Sequence, residues 1–306
     1  MSKFRAFDRI GFVGAGRTGT ALATAMSAAG FKVAAVASRS GESATALARR
    51  IPGCSALLSS REVVEMCDVV LLTVPDDAIA GVAADLPWHE SQTAVHCSGA
   101  LSLEVLEGAR RRGAMVGGLH PYQTFPAGLD ATGWLRGSTF AIEASEDLAR
   151  WLEELVRRLG CRAVTVAERD RPLYHAAAVM GCGFVATLLD AAGGLWEAMG
   201  FSREEATQAI LPLATGTLHG IEAQGTRAAA TGPITRGDSG TIRKHMEALA
   251  ERMPESLPLY RQAALSMVGM ALKQGTITPE QARHIENVLN TAPALAAGPV
   301  SVVDKR

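Results

Sequence analysis

The sequence predicts an α/β domain built on a mostly parallel sheet (residues 1–167), followed by an all-α domain (residues 168–306). Two observations carry this. The first half alternates short β-rich apolar runs with helical stretches, the pattern of βαβ units whose sheet is covered on both faces. From Glu168 onward the runs lengthen and take helical periodicity.

In order, Ile10–Val13 is a short apolar strand, a glycine-rich turn follows, and Gly19–Ala29 is helical. Lys32–Ala37 is the second strand, before the helix Glu42–Arg50. Ala56–Leu58 is a short third strand, before the helix Ser60–Met66. Val69–Val74 is the most continuous apolar run and stops at Pro75. Thr93–Cys97, Ala114–Leu119, Thr139–Ile142 and Ala163–Val166 complete the strands. The later helices are expected at Arg171–Met199, Glu204–Ala223, Thr241–Arg252, Pro258–Lys273 and Pro279–Leu289. Pro212 has no N–H to donate and predicts a kink or division in the second of these. Thr278, Pro279 and Gln281 predict a capping box at the start of the last.

Thirty basic residues against 31 acidic ones give a net charge of −1, so nothing electrostatic points to nucleic acid or an anionic membrane as partner. The five cysteines are scattered and form no C-x-x-C, which argues against a disulfide framework or structural zinc and fits a reducing, cytoplasmic setting. Met1–Arg9 carries charges and does not have the form of a signal peptide. The uncharged stretch Ala176–Leu189 is shorter than the roughly 20 residues of a spanning helix. It is expected to be a buried helix of a soluble protein.

Gly14-Ala15-Gly16-Arg17-Thr18-Gly19 is a G-x-G-x-x-G between the first strand and the first helix. In that place Gly14 permits a tight turn, Gly16 lets backbone approach a pyrophosphate, and Gly19 lets helix and strand pack closely. The helix N-terminus presents free N–H groups to the phosphates. This Rossmann pattern predicts dinucleotide binding. An NAD site places an acid after the second strand, but here the run is Ser38-Arg39-Ser40. A guanidinium between two hydroxyls suits a 2′-phosphate, so NADP(H) is the expected cofactor.

Ligands of open α/β sheets lie beyond the carboxyl ends of the strands. Val74-Pro75-Asp76-Asp77, His96-Cys97-Ser98-Gly99 and His120-Pro121-Tyr122-Gln123 stand at three such ends. Hydride transfer to C=O or C=N needs a proton donor and orienting hydrogen bonds, and His120, His175 and Ser98 are the chemically able candidates. Each has a second role open to it: His120 can anchor a turn, and Ser98 can touch the cofactor or cap the following helix. His96 is expected to be a buried, satisfied histidine and Cys97 an apolar filler. Between later helices, Thr231–Thr241 is polar and glycine-rich. Arg236 there either pairs with Asp238 or faces an acidic substrate, and Asp238 or Ser239 can cap the next helix. No metal-ligand spacing is present.

The glycine loop, the run Asp68-Val-Val-Leu-Leu-Thr-Val-Pro-Asp-Asp-Ala-Ile79 and the helical second half resemble the 6-phosphogluconate-dehydrogenase-like superfamily. That group includes pyrroline-5-carboxylate reductase, ketopantoate reductase and β-hydroxyacid dehydrogenases. His96-Cys-Ser-Gly-Ala-Leu101, Gly118-Leu-His-Pro-Tyr-Gln-Thr-Phe125, Leu173-Tyr-His-Ala-Ala-Ala178 and Thr231-Gly-Pro-Ile-Thr-Arg-Gly-Asp238 are similar to a bacterial family of Rossmann-like proteins whose C-terminal domain is of unknown function. The resemblance implies an NADP-dependent oxidoreductase acting on a small keto, imino or hydroxy acid, with Ser98, His120, Gln123, His175, Arg236 and Asp238 in the cleft. It also implies a homodimer through the helical domain. One departure stands out: Gly183 occupies the position where that family carries an asparagine. The superfamily's helix Lys and Asn are both missing, which leaves a non-catalytic NADP(H)-binding or redox-sensing protein as the alternative.

Overall fold

A computed structural model describes residues 8–126 and 132–291, so the charged N-terminal segment up to residue 7 lies outside it. The chain divides into two compact units, residues 1–183 and 184–306.

In the first unit, eight strands form one sheet in the order β3-β2-β1-β4-β5-β6-β7-β8. They are β1 (Ile10–Val13), β2 (Val33–Ala37), β3 (Ser55–Ala56), β4 (Val69–Leu72), β5 (Thr93–His96), β6 (Met115–Tyr122), β7 (Thr139–Ala144) and β8 (Arg162–Thr165). All neighbouring pairs are parallel except β6 with β7. Successive strand residues point to opposite faces. Val69 and Leu71 accordingly join a core with α1 (Arg17–Ala28), α2 (Gly41–Ala48) and α6 (Glu146–Arg158). Val70 and Leu72 join the opposite core with α3 (Ser60–Met66), α4 (Asp76–Asp85) and α5 (Glu107–Arg111). Burial on both faces is why these strands read as continuous apolar runs.

The expected helix Arg171–Met199 is two helices, α7 (Arg171–Gly181) and α8 (Gly183–Ala198), parted at Cys182, whose φ −126° and ψ −68° are not helical. The helix carrying Tyr174 and His175 therefore belongs to the first unit, beyond the expected boundary at 167. The expectation of a buried Ala176–Leu189 is corrected. Met180, Phe184, Val185 and Leu188 are exposed, and the stretch Glu168–Ala198, long and apolar enough by composition to cross a membrane, is 6% buried at its most apolar window.

In the second unit, α10 (Ser239–Arg252), α11 (Leu257–Gln274) and α12 (Pro279–Thr291) share a core that includes Ile242, Met246, Val268, Ile285 and Leu289. The α12 cap is as expected: Thr278 N donates to Gln281 Oε1 at 2.8 Å, and Gln281 N donates to Thr278 Oγ1 at 3.2 Å. Pro212 does not divide α9 (Arg203–Ala228); the break comes at Gly225, at φ 82° and ψ 161°. The carbonyl that the proline leaves without a helical partner belongs to Gln208, an exposed residue that water can serve.

Candidate functional site

The glycine loop has three different environments. Gly14 takes φ +111°, and a Cβ there would stand 2.6 Å from the Thr73 carbonyl oxygen. A Cβ on Gly19 would stand 2.4 Å from the Gly14 oxygen and 2.6 Å from Thr73 Oγ1. Around Gly16, by contrast, a Cβ would meet nothing within 4 Å. Gly14 and Gly19 are thus required by the fold itself. Gly16, the N-cap of α1 with no side-chain cap bond, is open toward a ligand. Ala15 is half-buried behind it, Thr18 is partly exposed, and Arg17 is exposed in the first turn. Thr73, not singled out from sequence, ties the loop to β4 by donating from Oγ1 to the Gly14 oxygen at 2.7 Å.

Beside it, Arg39 is exposed and makes no ion pair among the described residues. Ser38 is partly buried, and Ser40 caps α2, accepting from Ser43 N at 3.2 Å. An exposed cation, an uncapped helix N-terminus and an open glycine are the features a dinucleotide with a 2′-phosphate needs.

Val74 and Pro75 lead from the end of β4 into α4, whose first residue, Asp76, reaches the turn after β5. Ser98 Oγ donates to Asp76 Oδ2 at 2.6 Å and accepts from the amides of Ala100 and Leu101, each at 3.2 Å. One donor and two lone pairs are all the hydroxyl has, so Ser98 organises this turn and holds no free proton. Its own amide donates to His96 Nδ1 at 3.2 Å.

His96, Gly118 and Glu143 are register partners across β5, β6 and β7 and therefore share one face of the sheet. Over the missing side chain of Gly118 lies Arg171, 2% exposed, with Nη2 2.5 Å and Nε 2.7 Å from Glu143 Oε2. His96 is only half satisfied: its Nε2 and Arg171 Nη1 are both buried without a hydrogen bond. Burial first, then Arg171 and His120, push the His96 pKa down to about 4. Cys97 behaves as filler; burial pushes its thiol up to about 12.

His120 follows Gly118 by two residues on the same face. Its Nδ1 lies 2.7 Å from the Tyr174 hydroxyl, and its ring stands edge-on to Tyr174 at 5.5 Å and to His175 at 6.4 Å. A Cβ on Gly99 would stand 2.7 Å from His120 Nε2, so only glycine admits the ring there. Burial, His175 and Arg171, opposed by Asp76, push the His120 pKa down to about 4. Burial and Tyr122, opposed by Arg171, push Tyr174 up to about 12. His96, His120 and Tyr174 are thus neutral near pH 7.

Of the expected site residues, the structure brings Ser98, His120 and His175 together and adds Asp76, Arg171 and Tyr174. Gln123 is occupied within the fold: Nε2 donates to Trp134 O at 2.9 Å and Ser138 Oγ at 3.2 Å, and Oε1 accepts from Thr124 N at 2.8 Å. In the second unit, Asp238 caps α10, accepting from Thr241 N at 3.0 Å and Thr241 Oγ1 at 2.6 Å. Those bonds, with Arg236 contributing last but one, lower its pKa. Arg236 is exposed.

The fold and loop define a Rossmann-like α/β protein extended by helices. Residues 4–121 match the family model of a Rossmann-like domain, and residues 138–267 match that of a domain of unknown function, DUF2520. A candidate NADP oxidoreductase from Bacteroides fragilis is 27% identical, over 85% of this chain and 97% of its own, with a TM-score of 0.69. A Thermotoga maritima protein is 22% identical, over 87% and 99%, at 0.68. Pyrroline carboxylate reductase from Plasmodium falciparum, with NADP bound, is 16% identical, over 90% and 98%, at 0.57. The last two share the fold. No curated protein matches the chain.

Proposed function

We propose that this protein is an NADP-dependent reductase of a small keto or imino acid, working in the cytoplasm. The observation that carries the reading is Gly16: open space at an uncapped helix N-terminus, inside a loop whose other two glycines are fixed by packing. Likeness to the B. fragilis protein supports it. Gly14–Gly19 would hold the pyrophosphate and Ser38-Arg39-Ser40 the 2′-phosphate; Val74 and Pro75 would border the cofactor. When bound, the nicotinamide supplies hydride chemistry. His120 presents an N–H to the substrate heteroatom, His175 lines the same cluster, and Ser98 and Gln123 hold the surrounding turns. Arg236, exposed in the second unit, is the arginine that the sequence resemblance offers to a substrate carboxylate, and Asp238 fixes the start of α10 close by in sequence.

Calorimetric titration with NADPH and NADH, repeated on Arg39→Ala, tests this. NADPH preference that vanishes in the variant is expected. Absence of binding by either nucleotide sinks the reading, and binding without turnover on any keto or imino acid favours a sensing role.

The exposed apolar residues of α7, α8 and α9, among them Leu173, Met180, Phe184 and Leu213, are proposed to be covered by a second copy of the chain. A membrane is a poorer cover, because the break at Cys182 leaves helices of 11 and 16 residues against the roughly 20 a span requires. Light scattering that gives a monomer at micromolar concentration rules the dimer out.

A further inference from the structure

Within the cluster, Tyr174 and His120 are joined by one hydrogen bond of 2.7 Å whose direction has consequences. A phenol O–H donates more strongly than its oxygen accepts, which favours Tyr174 as donor and His120 Nδ1 as acceptor, the ring tautomer deciding the direction. A neutral imidazole accepting at Nδ1 carries its proton on Nε2. That nitrogen makes no hydrogen bond among the described residues and lies beside Gly99, where only the missing side chain of a glycine leaves it room. One ring nitrogen faces the Tyr174 hydroxyl and the other lies against Gly99.

One turn before Tyr174 on α7 stands Arg171, buried, with Nη1 unpaired. Glu143 takes up Nε and Nη2, while the third nitrogen has no assigned acceptor. Residues three apart on a helix share a face, which puts a cation beside any negative charge that forms on the tyrosine.

We propose that Tyr174 supplies the proton of the reduction through His120, with Arg171 stabilising the charge left behind. This rests on the reductase reading above. As hydride from NADPH reaches the carbon of a C=O or C=N group, the His120 Nε2–H bond breaks and the proton joins the substrate heteroatom. The Tyr174 O–H bond breaks as Nδ1–H forms. The imidazole is neutral before and after, and the tyrosinate is reprotonated from solvent once product leaves. The lowered histidine pKa agrees with this route, since no stored imidazolium is available near pH 7.

Two arms test it on the full-length protein. In ¹⁵N-labelled chain at pH 7, the His120 ring, assigned by its loss in His120→Gln or His120→Asn, should show Nδ1 unprotonated and hydrogen-bonded. In Tyr174→Phe the hydrogen-bond shift at Nδ1 should vanish. A protonated Nδ1 in the native chain overturns the relay and leaves the reductase reading standing. In the kinetic arm, NADPH oxidation is followed with a panel of small 2-keto acids and cyclic imines. Tyr174→Phe should lower kcat about 100-fold with NADPH affinity unchanged. The solvent proton inventory should change from two protons in flight to one. Incorporation of 3-fluorotyrosine at 174, which keeps the hydroxyl, should restore turnover. An inventory identical in native and Tyr174→Phe enzyme overturns the relay. A native chain that binds NADPH but turns over nothing removes the reductase reading and the relay with it.

Discussion

Gly118 and Arg171 occupy one volume: a Cβ on the glycine would stand 3.1 Å from the guanidinium Nη2. The β6 strand gives up a side chain at this point so that a charged group from α7 can lie against the sheet and reach Glu143. Removing one partner of a buried pair leaves an uncompensated charge, at a cost of about 3 to 5 kcal/mol. Glu143→Leu is therefore expected to lower stability by about that much in urea unfolding, at the lower end because Glu143 keeps some exposure. The double variant with Arg171→Met should recover most of the loss. A single variant as stable as the native chain would contradict the pairing.

The loop glycines should separate by mechanism. Gly19→Ala places a methyl 2.4 Å from the Gly14 oxygen, so the fold must shift. A melting temperature lowered by several degrees, with a cost of about 1 to 3 kcal/mol, is expected. Gly16→Val meets no protein atom within 4 Å of its Cβ. It should leave melting unchanged and weaken NADPH at least tenfold by calorimetry. If Gly16→Val binds as tightly as the native chain, the pyrophosphate does not approach there.

Acid sensitivity should begin above the carboxylate range. His96 and His120 have folded-state pKa values pushed down to about 4, below the roughly 6.5 of an unfolded histidine. Between those values the unfolded chain binds protons that the folded chain refuses, so stability falls as pH drops from 6.5 toward 4 and is unaffected above. For the fully enclosed His96 the change is on the order of 3 kcal/mol across the window. Urea midpoints at pH 7.5, 6 and 5 check it, and His96→Gln should flatten the slope. A native slope of zero between pH 6.5 and 5 counts against the burial argument.

Ser98→Ala leaves the Ala100 and Leu101 amides without their acceptor. Water reaches this turn, so the expected cost is modest, about 1 kcal/mol in urea unfolding. NADPH affinity should change little, since the hydroxyl is spent on Asp76 and backbone; a large loss would place Ser98 on the cofactor instead.

The central strands β1, β2, β4 and β5 were legible because strands buried on both faces must be apolar along their length; Ile10–Val13 is found where it was expected. The capping box at Thr278 was legible because its partners are three residues apart. What was not legible depends on distant partners. Arg171 meets Glu143 28 residues away, and His120 meets Tyr174 54 residues away. Nothing local in Leu173-Tyr174-His175 distinguishes the tyrosine from its neighbours. The break at Cys182 and the exposure of the following helix likewise depend on what the rest of the chain fails to cover. Pro212 does not divide α9, because water can take the carbonyl it orphans.

Helix α7 meets β6 at two points: Arg171 falls over Gly118 and Tyr174 lies beside His120. A helix advances about 1.5 Å per residue and a strand about 3.3 Å, so the two act as scales of different graduation brought into coincidence at two marks. Substitution at either mark changes one contact. Inserting or deleting a single residue between them turns Tyr174 by about 100° around the helix or sends His120 to the opposite face of the sheet. Tolerance to length change should therefore be lowest in these two short stretches, even where tolerance to substitution is high.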